Sequence, residues 1–211
     1  IKTGYKIQPK TRVYVSANRQ LVHYSAQRDA NHKDWLVDVG IEGQLAPKLK
    51  GMVQAGLQNR LYDNTAVVNT SRNRSTNNAQ YRAQLNYAAT ERTSFDLVGN
   101  RGLNETSAVG SGGHYYTSTG VSLAAAHKWN KLKFGLGGGW QVDKYAEAVT
   151  QANYTAVRRD DLYNGNASVV YSIQEWLQAS LDYQHMRRHS IFTGQFNYKV
   201  NRTSVGVKLL F

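Results

Sequence analysis

Fifteen ionisable residues share one phase of the chain. Lys2, Lys6, Arg12, Lys50, Arg60, Arg82, Lys128, Lys133, Arg202 and Lys208 are its cations, and Asp38, Glu42, Asp96, Asp143 and Asp182 its acids. They alternate with apolar residues, and Gly, Asn, Gln and Ser fill the positions between them. Facing a water-filled space, such a set lowers the barrier to anions, while Asn, Gln and Tyr suit the hydroxyls of sugar polymers. The same charges, paired with one another, would only brace a wall. Catalytic chemistry has less to stand on. His127 falls near a turn, His114, His185 and His189 near loops, and Ser190 follows His189 without an acid nearby. No spacing marks a triad or a metal site, so no catalytic residue, metal ligand or cofactor is assigned. Asn153-Tyr154-Thr155 has the form of a glycosylation sequon, a three-residue match that arises often by chance.

The elements that must position these residues read as strands. Period-two alternation runs through Ile1–Ile7, Arg12–Tyr24, Trp35–Leu45, Gly51–Leu61, Tyr81–Ala89, Phe95–Leu103, Thr119–Trp129, Leu132–Val142, Tyr163–Ile173, Leu177–Tyr183 and Tyr198–Phe211. That makes about eleven strands with a different solvent on each side. The last is the clearest: Val205, Val207, Leu209 and Phe211 oppose Arg202, Ser204, Gly206 and Lys208. Most have the ~9–11 residues that a tilted membrane strand needs. Short turns at Pro9, Pro47, Arg92, Lys131 and Glu175 alternate with polar stretches at 25–34, 63–79, 104–114, 145–160 and 187–197. Outer-membrane barrels separate loop lengths in this way, with short periplasmic turns and long outer loops. Trp35, Trp129 and Trp176 fall near strand ends, where an aromatic girdle belongs.

The totals agree. The chain has 211 residues and no cysteine, which removes disulfides and thiolate chemistry. Its mean hydropathy of −0.56 fits a barrel, because half of each strand and all the loops are wet. The 26 Lys and Arg against 14 Asp and Glu give +12, and so large an excess points to an anionic partner. Nucleic acid is not that partner: neither a recognition helix nor an aromatic RNA-binding strand motif is visible. Lipopolysaccharide is a candidate, since Arg28, Lys33, Arg72, Arg74, Arg158, Arg159, Arg187 and Arg188 fall in the outer loops and Arg grips phosphate. Solvated loop charge is the plainer reading of the same residues.

The expected fold is therefore all-β, an antiparallel up-and-down transmembrane β-barrel in the bacterial outer membrane, forming one domain over 1–211. Val207, Leu209, Phe211, Leu181, Phe134 and Leu136 are expected to face lipid, and the fifteen charged residues the lumen. Eleven strands cannot place both chain ends in the periplasm, and an open edge in lipid leaves backbone groups unpaired. The stretch is expected to be the C-terminal part of a larger barrel, present as a mature portion or a fragment, since no signal peptide is visible.

GYKIQPKTRVYV near the start, SGGHYYTSTGVSL, DDLYNGNASVVYSIQEWLQASLDYQHMRR and the closing NRTSVGVKLLF resemble, in order, segments of the outer-membrane beta-barrel porin type 2 family. The resemblance implies an outer-membrane barrel associated with exopolysaccharide or capsule synthesis, and members longer at the N-terminus. The expected function is a pore taking part in export of an anionic or polar surface polysaccharide, fed by a periplasmic partner. The alternative is a non-conducting structural or adhesive barrel that binds partners through its outer loops, and a lipid-modifying barrel enzyme stands third.

Overall fold

Side chains that alternate between oily and wet cannot satisfy both solvents on a helix, whose neighbours in space are three and four residues apart. They can on a strand, where successive side chains point to opposite faces. In the computed structural model, which describes residues 1–25, 31–63, 75–106, 115–151 and 154–209, every alternating segment is a strand. They are β1 (Lys2–Gln8), β2 (Thr11–Val22), β3 (His32–Ala46), β4 (Leu49–Tyr62), β5 (Ser75–Ala88) and β6 (Thr93–Glu105). There follow β7 (Tyr115–Trp129), β8 (Leu132–Gln151), β9 (Tyr154–Gln174), β10 (Leu177–Ser190) and β11 (Tyr198–Leu209), with one helical turn, α1 (Thr193–Phe196), before the last. The eleven strands form a single antiparallel sheet in sequence order, each bonded to its neighbours in the chain. Among the described residues β1 bonds only β2 and β11 only β10, so the described sheet is open with two free edges.

The short turns are as tight as expected. Pro47 and Lys48 alone separate β3 from β4, and Asn130 and Lys131 alone separate β7 from β8. Lys48 and Asn130 carry the positive φ, 64° and 51°, that tight reversals demand. Just above the β3–β4 turn, Gly43 and Gly51 are direct cross-strand partners with φ of 115° and 149°. A Cβ on Gly51 would collide with the Gln84 carbonyl of β5, and one on Gly43 with the Lys10 carbonyl. Gly51→Val is expected to cost about 1–3 kcal/mol from backbone strain alone, with the clash added. A lowered urea midpoint for refolding into detergent would show it. Gly99→Ala is the control, since the nearest atom to its Cβ would lie 3.9 Å away.

At the other end the strands outrun the sequence expectation. The polar stretch 145–160 is not a loop: β8 and β9 stay paired past Lys144↔Arg159, through an irregularity, to Gln151↔Tyr154. Lys33 and Asp34 lie on β3, residues 75–79 on β5, and Arg187 and Arg188 on β10. Above the membrane both faces of a strand are wet, so the alternation that betrays a strand lower down disappears. Of the expected loop cations, Lys33, Arg158, Arg159, Arg187 and Arg188 are thus strand residues. Arg28, Arg72 and Arg74 lie outside the described residues, as do His114, Asn153 and the terminal Phe211.

The core is the polar side of the sheet. Asp34, Asp38, Gln58, Arg60, Asn78, Ser118, Asp143, Arg158, Asp160 and Ser190 are buried, while large apolar side chains such as Leu57, Leu123, Leu136 and Val205 stand exposed. Burial falls on the polar face because the sheet curls that way. Tyr14 of β2 bonds Gln54 of β4 across β3 at 2.7 Å, and Gln80 of β5 reaches Asp38 of β3 across β4 at 2.6 Å. His32 of β3 meets Glu105 of β6 at 2.9 Å. Side chains spanning one or two intervening strands require a concave surface, so the apolar face is convex.

Candidate functional site

Residues paired directly across an antiparallel ladder point to the same side, which lets the registers test the phase of each charged residue. Lys2 pairs Ser16 and Lys6 pairs Arg12, while Ser16 pairs Asp38 and Arg12 pairs Glu42. Arg60 pairs Asp34, Gln54 pairs Arg82 and Lys50 pairs Asn86. Asn86 pairs Asp96, Asp96 pairs Ala124, and Ser118 pairs Asp143 and Lys128 pairs Lys133. Asp182 pairs Ser204, Gln184 pairs Arg202 and Gln178 pairs Lys208. All fifteen charged residues thus lie on the concave face. Phe134, Leu136, Leu181, Val207 and Leu209 lie on the convex one; Leu136 is 67% and Val207 72% exposed.

The concave face is not uniform. Near the start of the sheet Glu42 takes the Lys2 ammonium at 2.6 Å and the Arg12 Nε–H at 2.6 Å. Asp38 accepts from Gln80 and, at 3.4 Å, from Ser16. Higher up, Arg60 forks onto Asp34, Nε to Oδ1 at 2.8 Å and NH2 to Oδ2 at 2.7 Å. Gln58 donates to the same carboxylate at 2.7 Å, and Glu105 stands 3.6 Å from Arg60. Across the sheet Asp143 accepts from Gln141 at 2.9 Å and from Ser118. Asp160, wholly buried, holds Arg158 at 2.5 Å with Arg188 at 3.8 Å. The Arg158 guanidinium lies 3.4 Å from the centre of the Phe196 ring, which α1 carries, and 4.2 Å from that of Tyr145. Here the β10–β11 connection leans over the concave face.

β7 and β8 present the opposite character. Ser122, Ala124 and Ala126 pair Gly139, Gly137 and Gly135, and the glycines face Asn164, Asn166 and Ser168 of β9. A Cβ on Gly137 would lie 2.7 Å from the Asn166 amide oxygen. This stretch of wall is thin, uncharged and lined with amides, leaving width between it and the charged strands.

Asp34, Gln58, Glu105, Arg158, Asp160 and Arg188 were not among the expected lumen residues, Arg158 and Arg188 having been read as outer-loop cations. Parity alone would have found most of them: Asp34 continues the phase of Asp38 and Glu42, and Arg158 and Asp160 that of Asn164 and Asn166. His127 bonds Thr93 at 2.9 Å and His185 bonds Asn201 at 2.7 Å. Among the described residues no cluster of three His, Asp or Glu could hold a metal.

The tryptophans mark the level of a bilayer. Trp129 and Trp176 stand exposed at the short-turn end, Trp35 and Trp140 further up. Trp140 pairs Val121, eight residues from Trp129 on β7. That is roughly 26 Å along the strand at ~3.3 Å per residue, or about 20 Å of height at the usual ~35–45° tilt, within reach of the apolar band, ~25 Å tall, between two aromatic girdles.

An antiparallel meander with a bare apolar convex face, aromatic belts and charge gathered on the concave side is the wall of an outer-membrane β-barrel. Over residues 1–211 the sequence matches the family described as "Putative beta-barrel porin 2", and the chain belongs to that family. Two solved structures share the fold. The outer membrane channel DcaP of Acinetobacter baumannii superposes with a TM-score of 0.65 at 11% identity, over 100% of this chain and 61% of its own. The FrpB iron transporter from Neisseria meningitidis (F3-3 variant) superposes with a TM-score of 0.63 at 10% identity, over 90% of this chain and 34% of its own. The chain thus spans less than two thirds of either. No curated protein matches the sequence. The location is the bacterial outer membrane.

Proposed function

We propose that the chain forms part of the wall of an outer-membrane pore that exports an anionic or polar surface polysaccharide, and that its concave face lines the lumen. The supporting observation is the division of labour across that face. Several carboxylates are spent on arginines of the wall itself, whereas Lys50, Arg82, Lys133, Arg202 and Lys208 are exposed. Among the described residues these five have no carboxylate in salt-bridge reach. Free cations together with the amide-lined middle of β7–β9 suit a polymer carrying both acid groups and hydroxyls. Polysaccharide as the cargo, and a periplasmic partner that delivers it, rest on the family resemblance. The convex residues, Leu136, Leu181, Phe134, Val207 and Leu209 among them, would meet acyl chains and lipopolysaccharide.

The free edges of β1 and β11 bear on closure. In hydrocarbon each unpaired backbone group costs several kcal/mol, so further strands of a longer chain must complete the wall. The test is single-channel recording from the full-length protein in planar bilayers. Discrete anion-selective currents are the expected result, and a silent bilayer would overturn the pore. A second reading, a plugged barrel that binds through its outer end, draws on the Arg158, Tyr145 and Phe196 stack, which narrows that mouth. It predicts the silent bilayer.

A further inference from the structure

Several cations toward the long connections are paired with acids, whereas most at the short-turn end are not. Toward the long connections Arg60 has Asp34, Lys33 has Asp63 at 2.8 Å, Arg158 has Asp160 and Arg159 has Asp161 at 3.3 Å. At the short-turn end Lys6, Lys50, Lys128, Lys133 and Lys208 sit on the concave face within two residues of a strand terminus. Four more cations, Lys10, Lys48, Arg92 and Lys131, occupy the turns themselves. All nine are exposed, and among the described residues none has a carboxylate within salt-bridge distance. Lys48 and Lys131 donate only to backbone carbonyls, Ala89 at 2.9 Å and Ile173 at 3.2 Å. The acids of this end are Glu42, which is taken by Lys2 and Arg12, and Glu91 and Glu175 in the turns, with Asp96 and Asp182 further up their strands.

One pairing shows that this excess works against the fold. Lys128 and Lys133 are direct cross-strand partners, and like charges placed opposite each other destabilise a sheet. Local conflicts of this kind concentrate where function requires them. Strands stand ~4.8 Å apart and the Debye length is ~8 Å at physiological salt, so the ammonium groups of adjacent strands act as one field. Eight of the nine are lysines. Lysine is a compact, strongly hydrated point charge, which attracts a passing anion without clamping it. Conduction needs binding strong enough to admit the cargo and weak enough to release it.

We infer that this cationic collar is the entry site of the pore, a multivalent docking ring for an acidic polysaccharide arriving from the periplasm. The inference rests on the pore reading above, and adds to it the end at which cargo is captured and the groups that capture it. A polymer with one carboxylate per sugar engages several lysines at once, so affinity arises from many weak contacts and falls steeply with salt.

The test is binding of polygalacturonate of defined length to the full-length protein in detergent micelles, with neutral dextran and poly-glutamate alongside. A collar variant carrying Lys50→Gln, Lys128→Gln, Lys133→Gln and Lys208→Gln is expected to bind polygalacturonate about tenfold more weakly, and with a shallower salt dependence. The matching Lys→Arg variant should bind like the parent. A variant of the opposite end, Lys144→Gln with Lys199→Gln, should also leave binding unchanged. Retention of the heat-sensitive gel shift of folded barrels verifies that each variant is folded. Equal binding by parent and collar variant would overturn the proposal. So would capture of poly-glutamate but not polygalacturonate, which would make the collar a dock for an acidic protein. Binding is read without current, so the two readings fail separately. A silent barrel that still binds the polymer sinks the pore and spares the collar, and a conducting barrel that ignores the polymer does the reverse.

Discussion

Replacing Leu136 with arginine is expected to destabilise the membrane-inserted barrel by about 2–4 kcal/mol, the cost measured for such a residue near the bilayer midplane. Leu136 lies four residues above the start of β8, between Ala125 and Ala167, and two thirds of its surface is uncovered by protein. In water that exposure would make Leu136→Arg harmless or favourable. In acyl chains the guanidinium has no solvent, and its flanking alanines offer no polar partner. The measurement is a urea titration of folding into lipid vesicles, read by the shift in mobility of the unheated protein. Ser204→Arg, one residue along β11 from Val205 but on the concave face, should change the midpoint little. If the two substitutions cost the same, the convex face is not the lipid face, and the assignment of lumen and exterior collapses together.

Arg60→Ala should cost about 3–5 kcal/mol, the penalty for removing one partner of a buried ion pair. Asp34 is 1% exposed and Arg60 3%. Loss of the guanidinium leaves the Asp34 carboxylate with Gln58 as a remaining donor and Glu105 facing the same space. Paired replacement, Asp34→Leu with Arg60→Met, removes both charges and should recover much of the loss. The double-mutant cycle then gives the coupling between β3 and β4 at the outer end. An additive outcome, in which the double variant is as unstable as the two single costs summed, would mean that the two side chains do not act as a pair. Lys208→Gln serves as the contrast. It has no carboxylate partner among the described residues and lies at the exposed end of β11, so its removal should alter stability by no more than ~0.5 kcal/mol.

Where the bilayer imposes two solvents on a strand, the sequence is legible residue by residue. Phe134 and Lys133, or Leu181 and Asp182, declare opposite faces as neighbours, and among the described residues the ladder registers put them on opposite faces of the sheet. The same rule explains the failures. Between Lys144 and Asp161 β8 and β9 carry polar residues on both faces, some of them buried ion-pair partners such as Arg158 and Asp160, so the alternation lapses and a paired hairpin looks like a polar loop. The ion pairs were illegible for a different reason. Asp34 and Arg60 are 26 positions apart, and only the β3–β4 register, set by the Pro47-Lys48 turn, brings them opposite each other. Arg60 lies on the expected face and is paired there, the bracing role that the sequence left open. The collar falls between these cases. Its lysines are plain in the sequence, but their gathering at one mouth follows from the up-and-down order of the strands.

The β8–β9 hairpin sets how the cell's surroundings meet this protein. Strands of 20 and 21 residues are about twice what crossing a membrane takes, ~9–11 residues, so their upper halves rise as a stiff mast of hydrogen-bonded backbone. Antibodies or phage that grasp the mast would recognise a folded shape, and peptides copied from residues 144–160 would make poor immunogens for intact cells.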